Sequence, residues 1–301
     1  MKDLRQYQVL SVSRAQHFAK SDEVAVEEPL EIWLKQPNSA GGSDTGLLLT
    51  TMRTPGDDIN LVRGWLLSSG LFGGWDNEGH KEGHKEGDKG LGNILSISHS
   101  GSNHLKGLTT NTVVVTLKRA INLDSKQLKR VEYASSSCGV CGQQSIEHLL
   151  QMIPMPSAVM PFSMTQQALC ALPEKLRQSQ PLFSHTGGNH AVALCDDQGN
   201  ILDVREDVGR HNAMDKLLGA HYETMLSGQF AVLLSGRVSF ELVQKAAMAH
   251  VPLLIAIGAP SSLAIDLCRE CDIGLVGFVK PTGFNVYNGQ MQDAVYIRAI
   301  T

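Results

Sequence analysis

The chain has 301 residues, of which 42% are hydrophobic, and a formal net charge of −4 at pH 7. This length and apolar content support about two domains with cores of their own, while the small negative charge excludes a global basic field for nucleic acid or an anionic membrane. The N-terminal residues lack a secretory signal pattern and no apolar run is long enough to span a bilayer, so a cytoplasmic protein is expected. Its six cysteines are then expected to be thiols, ligands or nucleophiles rather than a disulfide framework.

The first half of the chain alternates short apolar runs with turn signals, which predicts an α+β domain over residues 1–155. Strands are predicted at residues 25–36, 47–58, 94–99 and 112–120, and a helix at residues 59–70. Asp57 or Asp58 would cap this helix and Gly70 would end it. Residues 73–93 are dense in Gly, His and charge and cannot bury a core, so we expect a flexible surface insertion there.

The second half is more regular and predicts an α/β domain over residues 156–301, after a Pro-rich linker at residues 153–162. A helix is predicted at residues 165–178, a hairpin at residues 191–207 that turns at 197–200, and a helix from about residue 212. Strands at residues 230–236, 251–258 and 273–280 alternate with helices at residues 239–250 and 261–270. This alternation predicts a βαβαβ unit with three parallel strands.

Ligands of such a sheet bind at the carboxyl ends of the strands. Here those ends are Ser235–Arg237, Gly258–Ser262 and Phe278–Gly283, which offer glycines for close backbone approach, hydroxyls at helix starts and two cations. This chemistry indicates a pocket for a phosphate-bearing nucleotide, although Gly and Pro at these places could also serve only to turn the chain. Neither a P-loop nor a dinucleotide-binding fingerprint is present.

The segment ASSSCGVCGQQSIEHLL holds two cysteines, Cys138 and Cys141, between serines and glycines. A zinc site would need four ligands, and the other C-x-x-C pair, Cys268 and Cys271, lies far along the chain in an apolar helical pattern that indicates core residues. A zinc deaminase would need Pro before the first cysteine, where Ser137 stands. A dithiol redox site stays open because the C-x-x-C spacing is typical of oxidoreductases. A nucleophilic thiolate that accepts and passes on sulfur also stays open, because the N-terminus of a following helix would favour the thiolate. The structural alternative is that both thiols are buried.

Polar residues also cluster at element boundaries in the second half. His185 and His190 flank two glycines, and the segment DVREDVGRHNAMDKL holds Arg205, Asp207, Arg210 and His211. These residues could bind an anion or move a proton. They could equally be caps and salt bridges, and a single histidine is more often structural.

Seven motifs, taken together, resemble a known family. TMRTPGDD, SSCGVCG, HTGGNHAVAL, REDVGRHNAMDKL, LLSGRVSFELVQKAA, APSSLAIDLC and LVGFVK occur in the same order as in the formate dehydrogenase accessory proteins of the FdhD family of sulfur carriers. The resemblance runs from about Val26 to Tyr287. It implies a C-terminal domain of three-layer, cytidine-deaminase-like architecture and a homodimer without a permanently bound metal.

The resemblance also implies a function. A cysteine desulfurase would load a persulfide onto the protein. The protein would thus be a sulfurtransferase that acts as a persulfide carrier rather than as a many-turnover enzyme. The protein would deliver this sulfur to the molybdenum (or tungsten) bis(molybdopterin guanine dinucleotide) cofactor before its insertion into formate dehydrogenase. The alternatives are a dithiol oxidoreductase and a cofactor-binding chaperone without sulfur transfer; nucleic acid and membrane are not expected as partners.

Carried over by position, the resemblance assigns the persulfide to Cys138, with Cys141 as a supporting thiol. The residues expected to contact the cofactor, or a guanine nucleotide in its place, are Phe278, Val279, Lys280, Pro281, Thr282 and Gly283. Less directly implied pocket residues are Arg210, His211, Ser235, Gly236 and Arg237. The chain departs from the family pattern in the insertion at residues 73–93 and in the additional Cys268 and Cys271 pair.

Overall fold

The structure is a computed structural model. It describes residues 3–14, 16–69, 92–100, 111–121, 162–225, 229–293 and 295–297. Cys138 and Cys141 lie outside the described residues, as do the domain boundary predicted near residue 155 and nearly all of the predicted insertion and linker.

The chain opens with a two-stranded antiparallel hairpin, a feature that the sequence analysis did not predict. Strand β1 is Leu4–Val12 and strand β2 is His17–Ala25. Both strands bury little, and Leu10, Val12 and Phe18 are largely exposed near the tip of the hairpin.

A four-stranded sheet and one helix form the first core. Its strands are β3 (Glu28–Pro37), β4 (Ser43–Arg53), β5 (Ile94–His99) and β6 (Thr112–Leu117), and its helix α1 is Asp58–Ser68. The order is β4-β3-β6-β5, with β3 and β6 parallel. Alternate residues of β3 and β6 are apolar and pack against α1, which gives each strand one buried face. The predicted strands and helix are confirmed, although Asp57 begins the helix without a side-chain cap.

A six-stranded sheet forms the second core. Three parallel strands, β10 (Ala231–Leu234), β11 (Leu253–Ala256) and β12 (Gly274–Lys280), are joined by helices α6 (Phe240–Met248) and α7 (Ser262–Glu270). This confirms the predicted βαβαβ unit. Antiparallel strands extend the sheet on both sides, in the order β13-β12-β11-β10-β8-β9, where β8 is His190–Cys195, β9 is Ile201–Asp207 and β13 is Gly283–Asn288.

Layers of other elements cover both faces of this sheet. Helices α4 (Arg210–Ala220), α6 and α7 cover one face; α2 (Gln166–Gln178) and a small sheet of β7 (Ser163–Thr165), β14 (Gln290–Gln292) and β15 (Val295–Ile297) cover the other. Short helices α3 (Pro181–Thr186) and α5 (Tyr222–Met225) complete the described elements. The central strands β8, β10 and β11 are apolar on both faces, because both faces of the sheet are buried. The predicted α/β class with three layers is confirmed.

The two cores meet where α1 crosses α4. A Cβ atom on Gly64 would overlap the backbone carbonyl of Asp215, and one on Gly219 would overlap the carbonyl of Asn60. The two helix backbones therefore touch, and a side chain at either glycine would push them apart. None of the helices in the described parts of the chain combines the length and the apolar character needed to cross a membrane.

Candidate functional site

The carboxyl ends of the three parallel strands lie side by side, as the sequence predicted. The Gly258 amide donates to the Gly236 carbonyl over 3.1 Å, and the Phe278 amide donates to the Gly258 carbonyl over 3.2 Å. A Cβ atom on Gly258 would lie 2.7 Å from the Gly236 carbonyl oxygen, so this approach requires glycine. The backbone thus links the three predicted loops into one continuous edge.

The loop after β12 presents an exposed aromatic ring and a cation. Phe278 has a φ of 54° and its side chain is 46% exposed. A bulky residue in the left-handed region is strained, and such strain is concentrated at functional sites. Lys280, Pro281 and Thr282 are also exposed at the turn into β13, whereas Val279 is buried in the core.

A second group of predicted residues gathers around the end of β10. His190 begins β8 and its ring lies against Gly236, where a Cβ atom would be 3.3 Å from Nδ1. The Ser235 hydroxyl accepts a hydrogen bond from the Ala191 amide over 2.9 Å. Ser235 therefore joins β8 to β10, and the side chains open to a ligand here are those of His190 and Arg237.

The first turn of α4 brings Arg210 and His211 to the same place. His211 Nε2 lies 3.4 Å from the Ser239 hydroxyl at the start of α6 and 3.9 Å from the Glu241 carboxylate. The Arg210 Nε atom is buried without a hydrogen-bond partner in the described part of the chain. Burial lowers the pKa of His211 to about 4, and Lys245 and Arg210 contribute to this shift, so His211 is neutral at pH 7.

Arg205 and Asp207, weighed with these residues as site candidates, prove to be salt-bridge residues. Arg205 pairs with Asp57 over 2.7 Å, across the junction between the two cores. Asp207 is fully buried, pairs with Lys216 over 2.8 Å and accepts a hydrogen bond from the Thr54 amide over 3.1 Å. The motif segments TMRTPGDD and REDVGRHNAMDKL thus dock the two halves of the chain together.

A buried charge pair adds to this junction. Lys245 of α6 donates to both carboxylate oxygens of Asp215 in α4, over 2.7 and 2.9 Å, and to the Ser68 hydroxyl of α1 over 2.9 Å. The Lys245 and Asp215 side chains are 8% and 3% exposed. The network joins three helices from both halves of the chain.

The second cysteine pair is structural, as its apolar surroundings predicted. Cys268 and Cys271 are buried, and burial raises the pKa of both thiols, that of Cys271 to about 11. Burial likewise raises the pKa of Cys195 to about 12. Cys170 is half-buried beside a cavity of about 550 Å³ that it lines together with Gln166, Gln167, Ala171 and Pro281. The three buried thiols are protonated at neutral pH and therefore weak nucleophiles.

Sequence reasoning undervalued His190, because a single histidine at a strand start is more often structural. The second histidine of its motif, His185, does have a structural contact, 2.8 Å from Glu23 of the hairpin. The signal that separates the two is topological. His190 begins the strand that pairs with β10, so its side chain reaches the carboxyl edge of the sheet.

Fold and site together define an α/β protein whose parallel βαβαβ unit carries cationic side chains and an exposed aromatic ring along its carboxyl edge. Residues 25–292 match the FdhD/NarQ family. The chain is 40% identical over 286 residues to the sulfur carrier protein FdhD of Streptomyces coelicolor, covering 93% of this chain and 91% of that protein. It is 37% identical over 285 residues to the protein of the same name from Mycobacterium tuberculosis, covering 93% of this chain and 94% of that protein. The chain belongs to the FdhD/NarQ family.

The fold is also similar to a crystal structure. The match is to a Desulfotalea psychrophila protein assigned as a formate dehydrogenase accessory protein, with a TM-score of 0.67 at 20% identity. It covers 95% of this chain and 97% of that protein. The family resemblance inferred from the seven motifs is confirmed.

Proposed function

We propose that this chain is a sulfur carrier for the molybdenum bis(molybdopterin guanine dinucleotide) cofactor of formate dehydrogenase. The observation that carries the proposal is the strand-end edge, where Phe278 is exposed and Arg210, Arg237 and Lys280 form no ion pair with a carboxylate of the described residues. Cations without counter-charges beside an aromatic ring suit a nucleotide, whose base can stack and whose phosphates are anionic. The relatives named sulfur carriers support the same function.

In the proposed reaction, the Cys138 thiolate attacks the outer sulfur of a cysteine persulfide on the desulfurase. A new sulfur–sulfur bond forms at Cys138, and the desulfurase cysteine leaves as a thiolate. Delivery then breaks the bond at Cys138, which returns as a thiolate while the sulfur atom passes to the cofactor. Two electrons are needed to make that atom sulfide. The metal of the substrate would supply them and would itself be oxidised by two electrons.

Persulfide loading tests this proposal at the proposed residue. The full chain is incubated with L-cysteine and a cysteine desulfurase, and its peptides are analysed by mass spectrometry before and after reduction. We expect the peptide with Cys138 to gain the mass of one sulfur atom and lose it on reduction, and Cys138→Ser to abolish the gain. Cys141→Ser is the matched control and should still load. Loading at other cysteines with an unmodified Cys138 would contradict the proposal.

Formate dehydrogenase maturation separates the proposal from its two alternatives. A dithiol oxidoreductase would lose all activity in Cys141→Ser as well as in Cys138→Ser. A chaperone that only binds the cofactor would keep full activity in Cys138→Ala. The homodimer remains a prediction, and light scattering of the full chain tests it.

The pocket is tested separately through guanine nucleotide binding. Lys280→Ala should weaken binding of GDP, because it removes an exposed cation from the strand-end loop. Lys35→Ala removes an exposed lysine of β3 in the other sheet and is the matched control. Equal affinity of the two variants for GDP would exclude Lys280 from the site.

A further inference from the structure

Three side chains that can carry positive charge converge from three elements beside Gly236. His190 begins β8, Arg210 begins α4, and Arg237 follows β10. In the ladder between β8 and β9, His190 lies opposite Asp207, which is three residues before Arg210, and the His190 ring lies against Gly236, the residue before Arg237. Burial lowers the pKa of His190, and the positive charges of Arg210 and Arg237 lower it further against the opposing charge of Asp207.

Among the described residues, this group differs from Arg53 and Arg205, which are paired with carboxylates. Arg53 pairs with Asp58 over 2.8 Å and Arg205 pairs with Asp57 over 2.7 Å. Within the described ranges, neither Arg210 nor Arg237 has a carboxylate partner. The nearby carboxylate of Asp207 is engaged by Lys216.

One donor of the group is buried and unused. The Arg210 Nε atom has no acceptor in the part of the chain that the structure describes, although buried donors are nearly always satisfied. A buried donor beside uncompensated positive charge calls for an anionic acceptor. A phosphoryl group provides several such oxygen atoms and matches the geometry of guanidinium groups.

We infer that His190, Arg210 and Arg237 form a subsite for a phosphoryl group and that His190 takes up a proton when the anion binds. The inference rests on the proposed function in one respect: it assigns to this subsite the phosphates of the guanine nucleotide whose base lies at Phe278. One strand separates β10 from β12, so the two positions are about 10 Å apart, which a nucleoside diphosphate can span.

The proton uptake follows from the charges around His190. In the free protein its imidazole is neutral at pH 7, because burial and the two guanidinium groups of α4 and the β10 loop disfavour a further charge. A bound phosphoryl group reverses this balance and raises the pKa of His190. Affinity for the anion must then rise as the pH falls from the bound-state pKa toward the free-state pKa, by up to about tenfold per pH unit. His211, with a pKa of about 4, stays neutral over this range.

Calorimetric titrations with three probes test the inference on the full chain: GDP, inorganic pyrophosphate and guanosine, from about pH 6 to about pH 8. Arg237→Gln should weaken binding of GDP and pyrophosphate about ten- to hundredfold and leave guanosine unchanged. His190→Gln should bind both anions with less dependence on pH than the wild type. Because the phosphates of the probe titrate identically in both experiments, the comparison of the two proteins also corrects for that titration. Arg269→Gln removes an arginine of α7 whose side chain is 61% exposed and is the matched control. Circular dichroism confirms that each variant is folded.

The outcomes separate this inference from the proposed function. Wild-type affinity of Arg237→Gln and His190→Gln for both anions, with Lys280→Ala weakened toward GDP, would overturn the subsite and leave the nucleotide pocket in place. Pyrophosphate binding that depends on His190 and Arg237, in a protein that does not bind guanosine or prefer GDP, would support the subsite and contradict a guanine nucleotide as its ligand. Failure of the wild type to bind any of the three probes would overturn both. Sulfur carriage is read independently, by persulfide loading of Cys138.

Discussion

Replacing Lys245 by methionine tests the buried charge network between the two cores. Methionine has similar length and fills the space but lacks the ammonium group, which donates to two Asp215 oxygens and to Ser68. Asp215 would keep one hydrogen bond, from the Ser68 hydroxyl over 3.0 Å. The substitution therefore leaves an uncompensated carboxylate in a site where its side chain is 3% exposed.

The expected cost is large because both charges are buried. Removing one partner of a buried ion pair destabilises a protein by about 3–5 kcal/mol, a substantial part of a total stability of about 5–15 kcal/mol. Lys20→Met is the matched control, since it breaks a pair with Asp22 in which both side chains are 46% exposed. Such exposed pairs contribute about 0–1 kcal/mol. The double variant Lys245→Met/Asp215→Leu should recover most of the loss, because no charge stays buried.

The loss should also depend on pH in a defined direction. Burial raises the pKa of Asp215, and loss of Lys245 raises it further. In the unfolded chain the Asp215 carboxyl titrates near pH 4. Between this pH and the raised pKa of the folded variant, Asp215 is protonated in the folded state and ionised in the unfolded state. The penalty is therefore complete above the folded pKa and shrinks as the pH falls toward about 4.

Urea unfolding of the wild type and the three variants measures these free energies, with an unchanged dependence on urea as the check that the folded and unfolded states are comparable. A loss below about 1 kcal/mol in Lys245→Met, equal to that of Lys20→Met, would refute the reasoning, because it would place the Asp215 carboxylate in contact with water.

Three further predictions follow from backbone contacts and buried thiols. Gly64→Ala should lower the free energy of unfolding by about 1–3 kcal/mol in urea titrations, since its Cβ meets the α4 backbone, whereas Gly46→Ala, with open space around it, should not. Phe278→Gly should raise the melting temperature through relief of about 1 kcal/mol of left-handed strain yet weaken GDP binding; a lower melting temperature would contradict the strain. Cys268 and Cys271 should resist iodoacetamide in the folded protein and react after unfolding, as mass spectrometry can show; rapid labelling of the folded chain would contradict their burial.

The second half of the fold was predictable because its signals are local. Short apolar runs such as AVLL and LLIA at β10 and β11 are buried on both faces, and each is followed by a helical pattern. The hairpin of β1 and β2 was missed because its nine-residue strands mix charged and apolar residues and bury little. The sheet order was missed too, since the insertion of β8 and β9 beside β10 depends on contacts that no local pattern encodes.

The site was predictable only in part, as two arginines of one motif show. Arg205 and Arg210 lie five positions apart in REDVGRHNAMDKL, and residue type gives no reason to separate them. Arg205 pairs with Asp203, two positions away, and with Asp57, which is 148 positions away in the chain, whereas Arg210 has no carboxylate partner among the described residues. Topology does predict that the strand ends meet, so the three loops at the sheet edge could be named in advance.

The contact between α1 and α4 bears on how variants of this protein can be built. Gly64 of α1 lies against the backbone of α4, and Gly219 of α4 lies against the backbone of α1. Ser68 of α1 also hydrogen-bonds to the ion pair of Lys245 and Asp215, both of which belong to the second core. A chimaera with residues 3–121 from one relative and residues 162–297 from another would combine two surfaces shaped for different neighbours. Recombination should therefore succeed where both helices come from the same parent, and shuffled libraries need α1 and α4 to be inherited as one block.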